Sequence, residues 1–185
     1  MPDKDFAAVY DDEVWSVYGF FAYRLPTAAD AEDLTQRTFE RALRAWRRFD
    51  PERAPVRVWL LTIARNLLID HYRADVWGRQ QAIDEVAEGE LGSELAQPDL
   101  GIEPDLAEAL AELVPRDREV LALRFGGDLN GPEIAAMTGL TLANVQQILS
   151  RSLRKLRARL EGGELDRAAV RGGRAAGQAP AAGPA

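Results

Sequence analysis

Three residues constrain the C-terminal half of this chain more than anything else in it: Ala135, Gly139 and Val145. Ala135 falls where two helices can cross only over a small side chain. Gly139, four residues on, suits a turn that needs a positive φ angle. Val145, six further, is placed to point back between the helices, and Ile134, Met137, Leu140, Ile148 and Leu149 supply more apolar contacts. This is the spacing of a helix-turn-helix over 131–149, and a tight helical hairpin with no nucleic-acid role shares it.

The face opposite that core separates the two readings. Asn144, Gln147, Arg151 and Arg154 recur at helical spacing, with Gln146 and Ser150 beside them. Asn and Gln can pair with adenine edges in a major groove, and Arg with guanine or phosphate. A solvated face whose cations suit a helix C-terminus is the competing account. Between Ser150 and Leu160 the charged residues are Lys155 and arginines, with no acid, which favours DNA. Around this motif, Pro115 is placed to open a helix that runs to about 125, where Gly126 and Gly127 end it. Asn130 and Glu133 bracket the next start, and Thr141 can cap a last helix reaching about 160. From 162 to 185 Gly, Ala and Pro dominate, which reads as a disordered tail.

Residues 1–76 show three helical patterns and no period-two alternation. The first, aromatic-rich, covers about 6–23. Thr27 and Asp30 then mark a helix start, and Phe39, Ala42, Leu43, Trp46 and Phe49 follow at helical spacing up to Asp50 and Pro51. The third helix, about 58–74, has an apolar stripe of Leu60, Ala64, Leu67 and Leu68. Its other side carries Trp59, Thr62, Asn66, Asp70 and Arg73, with Arg65 adjacent. An indole followed by amides and cations suits a single-stranded nucleic acid, because bases stack on aromatic faces for roughly 1–3 kcal/mol each. An aromatic on a helix is more often core.

The net charge of −7 looks wrong for a nucleic-acid binder until it is located. Residues 1–76 are net −2 and 105–161 are balanced, whereas 77–104 carry Arg79 against seven acids. That segment loses periodicity and gains Gly and Pro, so it reads as an acidic flexible linker between two small helical domains, an all-α chain. No Cys and a single His exclude disulfides and thiolate zinc sites, and no metal or cofactor is expected. With His71 alone, no Gly-rich phosphate loop and no clustered carboxylates, no catalytic residue is expected either, so the chain does not read as an enzyme. No apolar run is long enough for a membrane helix, and the charged N-terminus is unlike a secretory signal; a cytoplasmic protein is expected.

Three stretches carry a family resemblance. Asp30-Ala-Glu-Asp-Leu-Thr-Gln-Arg-Thr-Phe39 and Trp59-Leu-Leu-Thr-Ile-Ala-Arg-Asn-Leu-Leu-Ile-Asp-His-Tyr-Arg73 resemble region 2 of the sigma-70 superfamily. Val114-Pro-Arg-Asp-Arg-Glu-Val-Leu-Ala-Leu-Arg124, with the helix-turn-helix after it, resembles region 4. No stretch resembles regions 1.1 or 3, which is the layout of the extracytoplasmic-function group of sigma factors. The resemblance implies promoter recognition by binding core RNA polymerase. Asp30, Glu32, Asp33, Gln36 and Phe39 would contact polymerase. Trp59, Ile63, Arg65, Asn66, Asp70 and Arg73 would meet the melted −10 strand, with Asn66, Ile63 and the loop 50–55 forming a pocket for a flipped base. Asn144, Gln146, Gln147, Ser150, Arg151 and Arg154 would face the duplex −35 element. The family also implies an anti-sigma factor as a partner. Its recognition helix usually begins Gly-Thr-Val-Lys or Gly-Thr-Val-Arg, where this chain has Ala143-Asn-Val-Gln, so its −35 preference should differ. The alternative is a free-standing helix-turn-helix regulator, which leaves the first-half motifs unexplained.

Overall fold

The structure, a computed structural model, describes residues 5–85 and 103–175. Among them the backbone forms seven α-helices and no strand: α1 (Phe6–Ala22), α2 (Ala28–Ala45), α3 (Val56–Glu85), α4 (Pro104–Ala111), α5 (Pro115–Leu121), α6 (Gly131–Thr138) and α7 (Leu142–Ala175). A 3₁₀ turn, Trp46–Arg48, follows α2, and a π-helical turn, Ala122–Gly126, follows α5. The all-helical expectation holds.

Local chemistry sets the helix starts. Thr27 accepts a hydrogen bond from the Asp30 amide at 3.1 Å and caps α2. Asn130 and Glu133 form a reciprocal capping box on α6, at 3.0 and 2.8 Å. Thr141 accepts from the Asn144 amide at 3.2 Å to open α7. Gly139 ends α6 at φ 71°, the left-handed conformation its spacing requires. On α2, Thr35 and Thr38 are buried and donate to the carbonyls of Ala31 and Leu34, both at 2.7 Å, so neither hydroxyl is stranded in the core.

Two helices run past their expected ends. The third helix, expected to stop near 74, continues to Glu85, into the segment read as linker. Between Val56 and Glu85 the chain has no Pro and only Gly78, and one glycine costs a helix about 1 kcal/mol without stopping it. The remainder of that segment, 86–102, lies outside the described residues. The last helix, expected to end near 160, passes through Gly162 and Gly163 to Ala175, so the tail read as disordered from 162 is helical over its first part. Residues 164–170 are all non-glycine, non-proline, and neither this pair nor Gly172 and Gly173 after it breaks the helix. Residues 176–185 lie outside the described residues.

The core extends across both halves of the chain. Phe20 and Phe21, consecutive on α1, are both fully buried. Neighbours on a helix point about 100° apart, so burying both requires cover from two directions. Helix α1 packs on α2, α3 and the π turn, and Leu34, Leu60 and Ala64 share one core cluster with Val120, Leu123 and Leu129. Ile134, Val145 and Ile148 of the helix-turn-helix belong to the same cluster. A smaller cluster of Ala109, Leu110, Leu113, Leu121 and Leu156 ties α4, α5 and α7 together.

Candidate nucleic-acid and polymerase interfaces

On the α1–α2 face, Asp30 is half-buried, while Glu32, Asp33 and Gln36 are exposed. Phe39 is 4% exposed, held edge-on by Tyr10 (4.7 Å between ring centroids) and Phe6 (6.3 Å), so it floors this surface instead of projecting from it. Between the two helices runs an open groove of about 740 Å³, walled by Tyr10, Val14 and Trp15 on one side and Gln36, Glu40 and Leu43 on the other. Trp15 is 76% exposed and Leu43 57%. Sequence spacing does not reveal this groove: Leu43 follows Phe39 and Ala42 at helical spacing, and nothing local marks Leu43 or Trp15 as outward-facing.

The α3 surface divides. Asn66, Asp70 and Arg73 are exposed along one face, and Asp70 lies 3.8 Å from Arg41. Trp59 is half-buried in an aromatic cluster, 4.8 Å from the Phe49 ring and 6.0 Å from that of Trp46. Ile63 packs partly against the core. Arg65 departs from this set. Its Nε donates to the Glu119 carboxylate of α5 at 2.6 Å, so the structure directs it to the other half of the chain.

At the start of α7, Val145 and Ile148 are buried, and Asn144, Gln146, Gln147 and Ser150 are exposed on the opposite side. Arg151 donates to Asp117 of α5 through Nε and Nη2, and Ser152 donates to the same carboxylate at 3.3 Å. The Arg151 guanidinium is held above its ordinary pKa by the hydrogen bond to Asp117. Farther along, Lys155 donates to the Glu112 carbonyl and Arg159 to the Glu112 carboxylate, both at 3.0 Å. Three of the cations that made this helix look like a DNA-binding surface therefore fasten it to α4 and α5, while Arg154 stays exposed. Among the described residues no group of three or more His, Cys, Asp or Glu could hold a metal ion. No helix of the described residues is long and apolar enough to cross a membrane.

Comparison with known proteins decides what these surfaces belong to. Residues 10–86 match the family model for Sigma-70 region 2, and residues 109–158 match that for Sigma-70, region 4. The ECF RNA polymerase sigma factor RpoE of Cereibacter sphaeroides is 31% identical over 160 residues, which span 82% of this chain and 84% of that protein. The chain belongs to the ECF sigma factors. The sigma factor BldN of Streptomyces coelicolor is 33% identical over 154 residues; the match spans 82% of this chain and 58% of that longer protein. Among solved structures, the sigma factor RpoE of Bartonella quintana, crystallised with the anti-sigma factor NepR, superposes with a TM-score of 0.67. It is 25% identical and the match covers 85% of this chain and 98% of the other. CnrH, solved with the cytosolic domain of CnrY, gives 0.56 at 27% identity, over 85% of this chain and 88% of the other.

In this sigma factor the region 2 match spans α1, α2 and α3, and the region 4 match spans α5 to α7. The two regions touch directly. Gly19 of α1 and Gly126 of the π turn meet backbone to backbone: a Cβ at Gly19 would lie 2.8 Å from the Gly126 carbonyl oxygen, and one at Gly126 would overlap the Gly19 carbonyl. Arg57 bridges two carboxylates, Glu13 of region 2 at 2.7 Å and Asp128 of region 4 at 2.6 Å. Arg24 donates to the Pro115 carbonyl at 2.8 Å.

Proposed function

We propose that this chain initiates transcription by joining core RNA polymerase in the cytoplasm and reading both promoter elements. The α1–α2 groove docks on polymerase, with Trp15 and Leu43 as apolar anchors and Glu32, Asp33, Gln36 and Glu40 as a polar, mainly acidic rim. Large aromatics dominate binding energy in protein interfaces, whereas rim charges govern encounter rate and salt dependence. Asn66, Asp70 and Arg73, with Trp59 at the edge of its aromatic cluster, receive the unstacked −10 strand. Asn144, Gln146, Gln147 and Ser150 read −35 base edges, Arg154 meets phosphate, and Arg151 positions the helix that carries them. No covalent chemistry is involved; binding energy offsets the unstacking of a few bases. The similar fold of the Bartonella quintana sigma factor RpoE was captured with an anti-sigma factor, and a regulator of that class belongs to this proposal.

The observation that carries this reading is the exposed apolar groove rimmed by acids, in a chain that also has a polar recognition helix. A free-standing regulator has no use for that groove. The test is size-exclusion co-elution with bacterial core RNA polymerase at about 150 mM salt, close to physiological ionic strength. A stoichiometric complex that Asp33→Lys weakens supports the proposal, and absence of a complex with a cognate core overturns it.

A further inference from the structure

We infer that Arg24 and Arg118 form a binding site for a phosphate group, carried by inorganic phosphate or by a nucleotide. Neither side chain belongs to the polymerase or promoter surfaces assigned above. The two guanidiniums flank one short turn between α4 and α5. Arg24 donates from Nη1 to the Pro115 carbonyl at 2.8 Å. Arg118 donates from Nη2 to the carbonyls of Ala111 and Leu113, at 2.7 and 3.1 Å. Tyr72 steadies Arg24 as well. Its hydroxyl donates to the Arg24 carbonyl at 2.7 Å, and the centre of its ring lies 5.8 Å from the guanidinium carbon. Both forks are therefore fixed in position before any ligand arrives.

What holds these cations does not neutralise them. Among the described residues neither guanidinium has a carboxylate partner, whereas Arg57, Arg65 and Arg151 each have one. Both side chains are half-buried, and the Nε of each is buried without a hydrogen-bond partner. Two like charges, partly desolvated and with donors unmet, carry a cost that an anion between them removes. Arginine presents its N–H donors as a planar fork matched to oxyanions. Carbonyls take one donor from Arg24 and two from Arg118, so both forks keep donors for a ligand. Charge then selects among oxyanions. A carboxylate brings one negative charge to two cations, whereas a phosphate group brings nearly two, with several acceptor oxygens to share. The Arg118 guanidinium sits below its ordinary pKa, first through burial and then through Arg24. A bound dianion opposes the second of these effects.

The test is a titration of the full chain, its arginines isotope-labelled for nitrogen NMR, with sodium phosphate at constant ionic strength. The Nε–H signals of Arg24 and Arg118, assigned through Arg24→Lys and Arg118→Lys, should shift together and saturate. Those of Arg47 and Arg48, both exposed, should stay in place. Each lysine variant keeps the charge and loses the fork, and should weaken phosphate binding about tenfold. Arg47→Lys should leave it unchanged. Circular dichroism checks that each variant is folded, and if one is not, the other carries the same comparison. Acetate at equal ionic strength should move neither signal. Tighter binding of ADP than of inorganic phosphate would identify a nucleotide as the source; equal or weaker binding would identify the free ion. The site is overturned if phosphate moves neither signal, or if acetate moves both as far. It is equally overturned if the folded lysine variants bind phosphate as the parent does. None of these outcomes depends on whether the chain co-elutes with polymerase.

Discussion

The Arg151 guanidinium donates to both carboxylate oxygens of buried Asp117, from Nε at 3.1 Å and from Nη2 at 2.7 Å. This pair joins the recognition helix to α5, and Ser152 reinforces it on the same carboxylate. Asp117 is only 6% exposed, so its charge is satisfied by these donors and little else. Asp117→Ala leaves the Ser152 hydroxyl and the guanidinium without their acceptor. We expect a loss of about 1–3 kcal/mol of stability, seen as a lower midpoint in thermal or urea unfolding. Binding to −35 duplex should weaken even though Asp117 touches no DNA. An unchanged midpoint would show that the pair contributes nothing to holding α7.

Arg154 has the opposite role. It is exposed beside the Arg151 clasp, on the proposed DNA side of α7. Arg154→Ala should leave the unfolding midpoint in place. It should reduce the slope of log affinity against log salt for promoter binding by the holoenzyme by about one, the signature of one lost phosphate contact.

Trp15 should act on polymerase and not on the fold. With 76% of its surface in solvent, removing it costs the core little. Trp15→Ala is expected to weaken core polymerase binding by at least roughly tenfold, mainly through faster dissociation, as truncation of a central aromatic anchor does. Asp33→Lys should instead slow association and make it less sensitive to salt. Stopped-flow association and dissociation at two salt concentrations separates the two. Equal behaviour of both variants would contradict the anchor-and-rim arrangement.

Gly139 and Gly126 are both required, for different reasons that alanine can separate. At Gly139 nothing lies within 4 Å of an added Cβ, but φ is 71°, so Gly139→Ala carries only backbone strain, about 1 kcal/mol. At Gly126 the added Cβ would overlap the Gly19 carbonyl and the Phe20 amide. Gly126→Ala should therefore push regions 2 and 4 apart, and calorimetry should show broadened or split unfolding in place of one transition. If both variants lose the same small amount in a single sharp transition, the close approach at Gly19 is not holding the two regions together.

Much of the local structure was legible because it is set by neighbours in the chain. Thr27, Asn130, Thr141 and Gly139 act through bonds or dihedrals within a few residues, and each does what its spacing implies. The burial of Val145 and exposure of Gln147 likewise follow from helical periodicity alone. Helix ends were less legible where no proline or capping residue intervened. Gly78 and the pair Gly162 and Gly163 weaken a helix without stopping it, and α3 and α7 run through them.

Residues with one motif and two roles could not be separated from sequence. Asn66 and Arg65 are adjacent, and both fit a strand-binding helix; only the position of Glu119, 54 residues away, takes Arg65 out of that face. Arg151 and Arg154 lie one helical turn apart and look alike, yet Asp117 claims the first. One sign of the contact between regions was present but unread: Gly19-Phe20-Phe21-Ala22 is apolar all round, which a helix covered on one side does not need.

By itself, then, the sequence determined the all-helical class, the helix-turn-helix and the family, because capping, periodicity and motif spacing are local and survive any arrangement of the parts. Tertiary structure decided which charges are free to meet DNA or polymerase and whether the two reading modules stand apart or together. Those outcomes depend on pairings between residues far apart in the chain, such as Gly19 with Gly126 and Arg57 with Asp128, and no local periodicity encodes them.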